Sequence, residues 1–379
     1  MITTAFVTGS TGLLGSNLVR ALAARGTRVR ALARGAGRAR ALLGDVDRSL
    51  VTIVEGDMND VASFAPALAG ADAVFHAAAY FRDGYKGGSH WEAMRRTNVD
   101  GTRALLAAAA AAGVRRFVNT SSIAVLAARG RVGPVDETMA RPAEGEPDDY
   151  YRSKILQDAV VDEALRARPD LHATLVLPGF MNGPGDVGPT SAGQIVLDFL
   201  RGALPFAMDA HFSYVDARDV AAAMIAAAER GRRGERYLVA GRSLHLREAL
   251  AVLARVAGRP APRAVVPLWL LAPYALGSEA WARATGRPVL VSWSGYRTMR
   301  RECDAMEFDS GKAVRELGAS FRPLEETFAD AVAWFVARGL AAPPADPASD
   351  GGARAFGAPP PPPSPASGAL KRQAQRPWQ

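Results

Sequence analysis

Several features are scarce in this chain of 379 residues. Cys303 is the one cysteine, so a disulfide framework and a cysteine-ligated metal site are both excluded within one chain. Long hydrophobic runs are also missing, and the most apolar later segment, 264–277, is too short to span a bilayer and contains Pro267 and Pro273. We expect this segment to form a buried helix of a substrate-binding lobe. A lipid-facing patch is the less favoured interpretation.

The composition excludes further classes. With 49% hydrophobic and 22% charged residues the chain is typical of a globular protein. Its formal charge of +8 is not organised into a basic stripe with interleaved aromatic residues, so no nucleic-acid partner is expected. No basic leader precedes the first motif, which favours a cytoplasmic protein without a targeting segment.

Metal binding is not predicted either, since the five histidines and the carboxylates show no ligand spacing. His76 lies in a predicted strand and is interpreted as a packed core residue, not as a catalyst. Asp216 and Asp219 are expected to cap a helix or to bond between lobes.

Strand-like and helix-like stretches alternate over the first half of the chain. Helical spacing is strongest in 13–26 and 99–113. This alternation predicts an α/β fold, a Rossmann doubly wound parallel sheet, with a smaller and mostly helical C-terminal substrate lobe. The predicted strands are 4–9, 28–33, 51–57, 72–79, 115–122 and 173–179.

The chain divides into predicted regions. Residues 1–178 form an NAD(P)-binding Rossmann domain, to which 212–241, a strand, a helix and a further strand, are expected to return. Residues 179–211 and 242–340 form the substrate-binding lobe. Residues 341–379 are rich in Pro, Ala, Gly and Ser without periodicity, so a disordered tail is expected there.

A glycine-rich turn follows the first strand. Gly9, Gly12 and Gly15 recur at intervals of three between a strand and a helix. Glycines in this context allow a tight turn, a close approach of the backbone to a pyrophosphate, and close packing of helix on strand. The helix N-terminus then offers its N–H groups to the phosphates. The turn therefore predicts a dinucleotide site.

Acidic residues are absent before Asp45, which bears on the choice of dinucleotide. An NAD site usually has an acidic residue at the end of the second strand, where it accepts from the ribose 2′-OH. Here that strand is followed by Arg34 and Arg38, and arginine suits a 2′-phosphate. We predict a preference for NADP(H), with NAD(H) left open.

Lysine is rare, which draws attention to Lys154. The 46 Lys and Arg residues include four lysines. On a helix, Tyr150 and Tyr151 both lie near Lys154, four and three residues before it. A free phenol, with a pKa of about 10, is a poor base at neutral pH. A neighbouring ammonium and an oxidised nicotinamide favour the phenolate, so a Tyr–Lys pair predicts acid/base chemistry with either tyrosine.

Two hydroxyl groups follow the fifth predicted strand, on Ser121 and Ser122. Ligands of an open parallel sheet bind at the carboxyl ends of its strands. A hydroxyl there can donate to a substrate carbonyl beside the phenol. The pattern leaves both serines open.

A set of short motifs follows one another along the chain: the glycine-rich turn, EGDMND (55–60), HAAA (76–79), TNVDGT (97–102), TSS (120–122), YYRSK (150–154) and LPGFMNGPGD (177–186). In this order the motifs resemble the extended short-chain dehydrogenase/reductase family, the NAD-dependent epimerase/dehydratase group. The resemblance covers about residues 1–340 and is greatest to the branch that holds dihydroflavonol 4-reductases and hopanoid-associated sugar epimerases.

The resemblance implies a catalytic set of Ser122, Tyr150 and Lys154, and leaves Tyr151 without a chemical role. It implies that Asp57 contacts the adenine side of the cofactor, and that Thr120 lies near the nicotinamide ribose. The full predicted cofactor set is Gly9, Thr11, Gly12, Leu13, Leu14, Gly15, Arg34, Arg38, Asp57, Met58, Ala77, Ala78, Ala79, Asn98, Thr120, Tyr150, Lys154, Pro178 and Gly179.

One departure concerns the substrate. Many relatives read Val-Tyr-Gly soon after the catalytic serine, whereas this chain reads VLAARGRVG (125–133). The substrate side of the pocket, and with it a sugar substrate, therefore stays open.

The predicted function is an NAD(P)-dependent oxidoreductase that transfers hydride to or from a small molecule at a Ser-Tyr-Lys site. The alternatives are a nucleotide-sugar epimerase or dehydratase, which would retain its cofactor, and a non-catalytic NADP(H) redox sensor. A small-molecule substrate is the expected partner, and a homodimer is left open.

Overall fold

Parallel strands form the centre of the protein, which a computed structural model describes for residues 2–81, 90–127, 133–285, 289, 293, 296–297, 300 and 307–343. The strands of this part of the chain are β1 Thr4–Thr8, β2 Arg28–Ala33, β3 Val51–Glu55, β4 Ala73–His76, β5 Arg116–Thr120, β6 His172–Pro178, β7 Phe180–Asn182, β8 Phe206–Met208, β9 His211–Asp216, β10 Arg236–Val239, β11 Arg242–His245 and β12 Ala264–Val266.

The α-helices flank these strands. The described helices are α1 Leu13–Ala23, α2 Ala36–Leu42, α3 Trp91–Met94, α4 Gly101–Ala111, α5 Asp149–Ala167, α6 Ser191–Leu200, α7 Ala217–Arg230, α8 Leu246–Ala257, α9 Ala272–Thr285, α10 Gly311–Leu317 and α11 Leu324–Ala337. A π-helical turn, Arg95–Asp100, joins α3 to α4.

The central sheet has seven strands in the order β10-β6-β5-β4-β1-β2-β3, and every neighbouring pair is parallel. The strand order reverses between β1 and β4, so the carboxyl ends of these two strands define the crevice in which such sheets bind ligands. The predicted doubly wound α/β fold is confirmed. The six strands predicted up to residue 179 are all present.

Two apolar layers cover the sheet. On one face α1 and α7 pack together, with Leu18, Leu22 and Met224 fully buried. On the other face α4 and α5 cover the strands through residues such as Leu105 and Val161. The alanines of α7, AAAMIAAA, allow the close packing of α7 against α1 because they add little bulk.

The remaining elements form a smaller apolar cluster, in which α6, α8 and α11 pack together. They surround a three-stranded sheet in the order β11-β9-β7, while β8 pairs with β12. Helix α10 is different, because its Ala313 and Leu317 are buried beside Tyr237 in the layer that covers the central sheet. The predicted tail lies outside the described residues from 344 onward.

Asp216 and Asp219 join these parts, as predicted. Asp216 caps α7 by accepting from the backbone N–H of Arg218, and its carboxylate lies 2.7 Å from the Arg218 guanidinium. Arg218 also pairs with Asp330 of α11 at 2.6 Å, and Asp219 pairs with Arg322.

The interpretation of 264–277 as a buried helix is wrong. The segment is divided among β12, a 3₁₀ turn at Leu268–Leu271 and the start of α9, and most of its large side chains face outward. Trp269 is 65% exposed and Tyr274 is 58% exposed. The hydrophobicity of a segment does not indicate which of its sides the rest of the chain will cover. Here a small apolar cluster covers only one side.

Candidate active site

The start of α5 fixes the two tyrosines. Asp148 caps this helix, and its carboxylate accepts from the backbone N–H groups of Tyr150 at 2.9 Å and Tyr151 at 3.1 Å. Both tyrosines therefore lie in the first turn, and Lys154 follows one turn later. The helix carries Lys154 into the interior, where 3% of the residue's surface is exposed.

The ammonium of Lys154 is held at the carboxyl end of β5. Its Nζ donates to the backbone carbonyl of Thr120 at 2.9 Å and to Oε1 of Gln157 at 2.9 Å. Burial lowers the pKa of Lys154 to about 8, and the negative charge of Asp158 opposes this shift. The cation is thus fixed in position and partly desolvated, which strengthens its action on a neighbouring group.

A chain of buried hydrogen bonds leads away from Lys154. Gln157 donates through Nε2 to the Thr102 hydroxyl at 3.0 Å, and that hydroxyl donates to the carbonyl of Asn98 at 2.6 Å. The Thr102 hydroxyl has one proton, so it must accept from Nε2 of His76, which lies at 2.9 Å. The orientation of the Gln157 amide follows in the same way, because its Oε1 accepts from the Lys154 ammonium and its Nε2 must therefore face Thr102.

This series of hydrogen bonds ends at Ala78, a residue of the predicted cofactor set. With Nε2 protonated, the neutral His76 ring accepts at Nδ1 from the Thr8 hydroxyl at 2.8 Å. Thr8 in turn accepts from the backbone N–H of Ala78 at 3.1 Å. Burial, reinforced by the charge of Lys154, lowers the pKa of His76 to about 3. His76 is therefore a neutral core residue, as its strand position predicts.

The two serines have different partners. Ser121 donates to Asp158 at 2.6 Å, and Asn119 donates to the same carboxylate at 3.2 Å. Ser122 instead caps the next turn, where its Oγ accepts from the backbone N–H of Ala124 at 3.1 Å. Ser121 is therefore engaged by the buried carboxylate, whereas the Ser122 hydroxyl lies at the start of the following 3₁₀ turn.

Asp158 was missed by the sequence reasoning. It lies four residues after Lys154 on α5, and burial raises its pKa to about 6 although Ser121 and Arg236 oppose the shift. The i,i+4 spacing of Lys154 and Asp158 was the readable signal.

The two tyrosines also differ in their surroundings. The Phe81 ring lies edge-on to Tyr150, with 4.8 Å between centroids, and Phe81 belongs to the segment that follows β4. Tyr151 is covered instead by the Arg141 guanidinium, 5.2 Å from its ring centroid. The Tyr150 ring is therefore packed against the segment that follows β4, whereas the Tyr151 ring is packed against Arg141.

The glycine-rich turn has the shape that a pyrophosphate requires. Gly9 has φ of +67°, and a Cβ on Gly9 would lie 2.7 Å from the Ala77 backbone. A Cβ on Gly15 would lie 2.1 Å from the Gly9 carbonyl oxygen. Gly12 caps α1 without a side-chain hydrogen bond, which leaves the first N–H groups of the helix for an anion. Thr11, Leu13 and Leu14 complete the turn, which fits the phosphates of a dinucleotide.

The end of β2 presents two arginines and one unexpected carboxylate. Arg34 and Arg38 are both exposed. Glu55 at the end of β3 lies beside Ala33, and its carboxylate accepts from the backbone N–H of Ala36 at 2.8 Å. Sequence reasoning missed this carboxylate because strand pairing, not chain order, places it next to β2.

The other predicted residues follow the carboxyl ends of β3, β4 and β6 or lie in the π-helical turn before α4. Asp57 accepts from the Asn59 backbone at 2.8 Å, and Met58 is buried.

Asn98 lies in the π-helical turn and holds the backbone that follows Ala77, Ala78 and Ala79. It accepts from the Tyr80 N–H at 2.7 Å and donates to the Tyr80 carbonyl at 3.2 Å. Pro178 ends β6, and a Cβ on Gly179 would lie 2.5 Å from the Ala240 and Ser213 carbonyls.

Comparison with known proteins identifies this arrangement. Residues 5–240 match the model of the NAD dependent epimerase/dehydratase family. The chain belongs to that family. The family and the relatives of the chain comprise NAD(P)-dependent reductases, dehydrogenases and epimerases, and this family member is an enzyme of the same group.

Three similar proteins cover most of the chain. It is 36% identical over 338 residues to a putative dihydroflavonol 4-reductase of Synechocystis, a match of 87% of this chain and 94% of the relative. It is 36% identical over 340 residues to sterol demethylase protein B of Methylococcus capsulatus, covering 89% and 99%. The crystal structure of gox2253 superposes with a TM-score of 0.74 at 34% identity, covering 89% and 99%.

Proposed function

We propose that this family member reduces a carbonyl group of a small molecule, or oxidises the corresponding alcohol, with Ser122, Tyr150 and Lys154 as its catalytic residues. The observation that carries the proposal is the fixed ammonium of Lys154, one turn after Tyr150 and at the carboxyl end of β5 beside Ser122. A bound nicotinamide supplies or accepts the hydride.

Each residue of the set has a distinct role. Ser122 donates to the substrate oxygen and so orients the carbonyl. Tyr150 gives its phenolic proton to that oxygen as the alcohol forms, and takes it back in the reverse direction. Lys154 stabilises the phenolate left on Tyr150 and can bond the nicotinamide ribose, because its third proton remains after Thr120 and Gln157 accept the other two.

The proposed cofactor is NADP(H). Arg34 and Arg38 are exposed at the end of β2, where a 2′-phosphate would lie, while the nearby Glu55 carboxylate is bonded to the start of α2. An Arg–phosphate hydrogen bond contributes about 1.5–3 kcal/mol, which corresponds to a preference of roughly tenfold to a hundredfold for NADPH over NADH.

Isothermal titration of both cofactors tests this preference. Arg34→Asp should reverse it, because the new carboxylate repels a phosphate and accepts from a ribose hydroxyl. Glu55→Gln serves as the control and should leave the preference for NADPH or increase it. Equal or tighter binding of NADH by the wild-type protein would contradict the proposal.

The reductase is distinguished from an epimerase or dehydratase by the fate of the cofactor. A reductase must exchange NADPH for NADP+ in every turnover, whereas an epimerase oxidises and re-reduces one substrate on a retained cofactor. We expect the purified protein to consume added NADPH in the presence of a panel of ketones and aldehydes. Cofactor that survives extensive dialysis, with no consumption of added NADPH, would favour the epimerase. Binding of NADPH without turnover of any substrate in either assay would favour the redox sensor.

A further inference from the structure

One surface of the protein carries a concentration of apolar side chains that the catalytic proposal does not use. Six large hydrophobic side chains are exposed among the described residues, and five of these six lie between residues 269 and 281. The sixth is Val314. The five are Trp269 at 65%, Leu270 at 47%, Tyr274 at 58%, Leu276 at 53% and Trp281 at 58%. We call these five residues the α9 patch.

The patch is carried by an element with two apolar sides. Leu268, Leu271 and Ala275 are buried and anchor the element on Tyr296. On the opposite side of α9 the exposed positions Pro273, Gly277, Ala280 and Ala284 are also apolar or small, and the exposed polar residues of the helix are Arg283 and Thr285. The exposed face of α9 is therefore largely apolar, and an apolar surface of this extent marks an interaction site.

The charged residues around the patch indicate what kind of partner it binds. Between residues 259 and 300 the chain has six arginines and a single acidic residue, Glu279. Glu279 is mostly covered, with 12% of its side chain exposed, and pairs with Arg283 at 3.1 Å. The arginines of this segment that the structure shows exposed are Arg263, Arg283, Arg297 and Arg300.

We propose that the α9 patch docks the protein on an anionic phospholipid surface. Trp and Tyr side chains are favoured at the boundary between lipid headgroups and acyl chains, and arginine is attracted by anionic headgroups. The proposed attachment is a peripheral one through the α9 patch; among the residues that the structure describes, no helix has the length and hydropathy of a membrane span. A second copy of the chain fits less well, because a two-fold contact would bring this arginine-rich surface against itself.

Vesicle co-sedimentation of the full chain tests the proposal. We expect binding to vesicles of three parts phosphatidylcholine to one part phosphatidylglycerol, and at least about tenfold weaker binding to pure phosphatidylcholine. The double variant Trp269→Ser, Trp281→Ser should bind the mixed vesicles at least about tenfold more weakly. Val314→Ser, which removes an exposed apolar side chain elsewhere, should bind like the wild type.

The electrostatic part is tested separately. Arg263→Glu with Arg283→Glu should weaken binding to the mixed vesicles and reduce its dependence on salt. Arg115→Glu, a charge change at the exposed position just before β5, should have little effect. Thermal unfolding and NADPH titration of each variant establish that it is folded.

Three results would overturn the proposal. One is the absence of vesicle binding by the wild type, and another is unchanged binding by the tryptophan double variant. The third is a wild-type dimer that the double variant converts to a monomer in sedimentation velocity, because the occupant of the patch would then be a second copy.

Discussion

At the scale of single residues, the site depends on an ammonium whose every neighbour has a defined hydrogen-bond direction. Lys154 meets a carbonyl and an amide oxygen, and the Gln157 amide is itself fixed by Thr102. A buried network of this kind restricts each member to one orientation when all its partners are satisfied. The two hydrogen bonds therefore hold the cation at the carboxyl end of β5.

The choice between the two tyrosines is testable by removing one hydroxyl at a time. Tyr150→Phe should lower kcat at least about a thousandfold while the affinity for NADPH stays within a few fold, because the proton donor is lost and the helix is not. Tyr151→Phe, on the side of Arg141, should have a mild effect. Steady-state kinetics of both variants with one carbonyl substrate is the measurement, and a larger loss in Tyr151→Phe would reverse the assignment.

The buried Asp158 carboxylate should set the alkaline limit of activity. Its negative charge raises the pKa of Lys154 against the effect of burial. In Asp158→Asn the pKa of Lys154 should fall further below about 8, and the alkaline limb of kcat/KM should move to lower pH by roughly one unit. Glu163→Gln, an exposed carboxylate on the same helix, is the control. A limb that stays in place or moves upward would show that Asp158 does not act on Lys154.

The residues that sequence reasoning found and missed differ in a physical way. Tyr150, Lys154 and the two serines lie at strand ends or at helical spacing, which the chain order reveals. Partners such as Gln157 and Thr102 are 55 residues apart and meet only because α5 packs against α4. No local pattern encodes such a contact, so these positions could not be read from one sequence.

At the scale of elements, the β1–α1 turn is restricted by two backbone contacts of different severity. A Cβ on Gly15 would overlap the Gly9 carbonyl, whereas a Cβ on Gly12 would lie 3.3 Å from that oxygen and meet no other atom. We propose that Gly12 allows the backbone to approach a pyrophosphate, and that Gly15 allows the helix to pack closely on the strand.

Alanine substitutions should separate these two roles. Gly12→Ala should lower NADPH affinity at least about tenfold while the melting temperature changes by about 2 °C or less, because the methyl group occupies the place of the approaching phosphate. Gly15→Ala should lower both affinity and melting temperature, since backbone must move. Gly277→Ala, in α9 where a Cβ meets open space, is the control and should leave the affinity unchanged without lowering the melting temperature. A stable Gly15→Ala protein with normal affinity would contradict this account of the turn.

The elements also show where a hydrophobic pattern has limited meaning. For β1 to β6, apolar runs predicted strands correctly because both faces of a parallel sheet are covered by helices. For the segment 264–277 the same kind of run predicted burial and was wrong. The apolar character was read correctly, but the coverage depends on elements distant in the chain.

At the scale of the whole molecule, the buried His76 should make the stability depend on pH. Its pKa is about 3 in the folded protein against 6.5 in an unfolded chain. The unfolded state therefore binds more protons between these values, and the free energy of unfolding should fall as the pH is lowered through this window. Asp158, with its pKa raised to about 6, opposes this between about 6 and 3.8, since the folded state then binds the extra proton.

His76→Gln isolates the contribution of the histidine. The variant should be less stable than the wild type at pH 7, but the difference in free energy of unfolding should shrink by up to about 2 kcal/mol between pH 6.5 and pH 4.5. Urea denaturation of both proteins across this range is the measurement. If the difference for His76→Gln does not shrink on acidification, then His76 binds a proton in the folded protein within this pH range, which contradicts the prediction.

The packing of α7 on α1 has a consequence for how the protein is made. The ion pair of Arg25 with Glu229 joins residues that are 204 positions apart, and β10 completes the sheet beside β6 only when residue 239 is available. On the ribosome, the apolar face of α1 and the open edge of β6 must therefore wait for α7 and β10 to be synthesised. At about 5–20 residues per second the delay lasts on the order of ten seconds or more for α1 and about 3–12 seconds for β6, periods in which the nascent chain is exposed to chaperones and to aggregation.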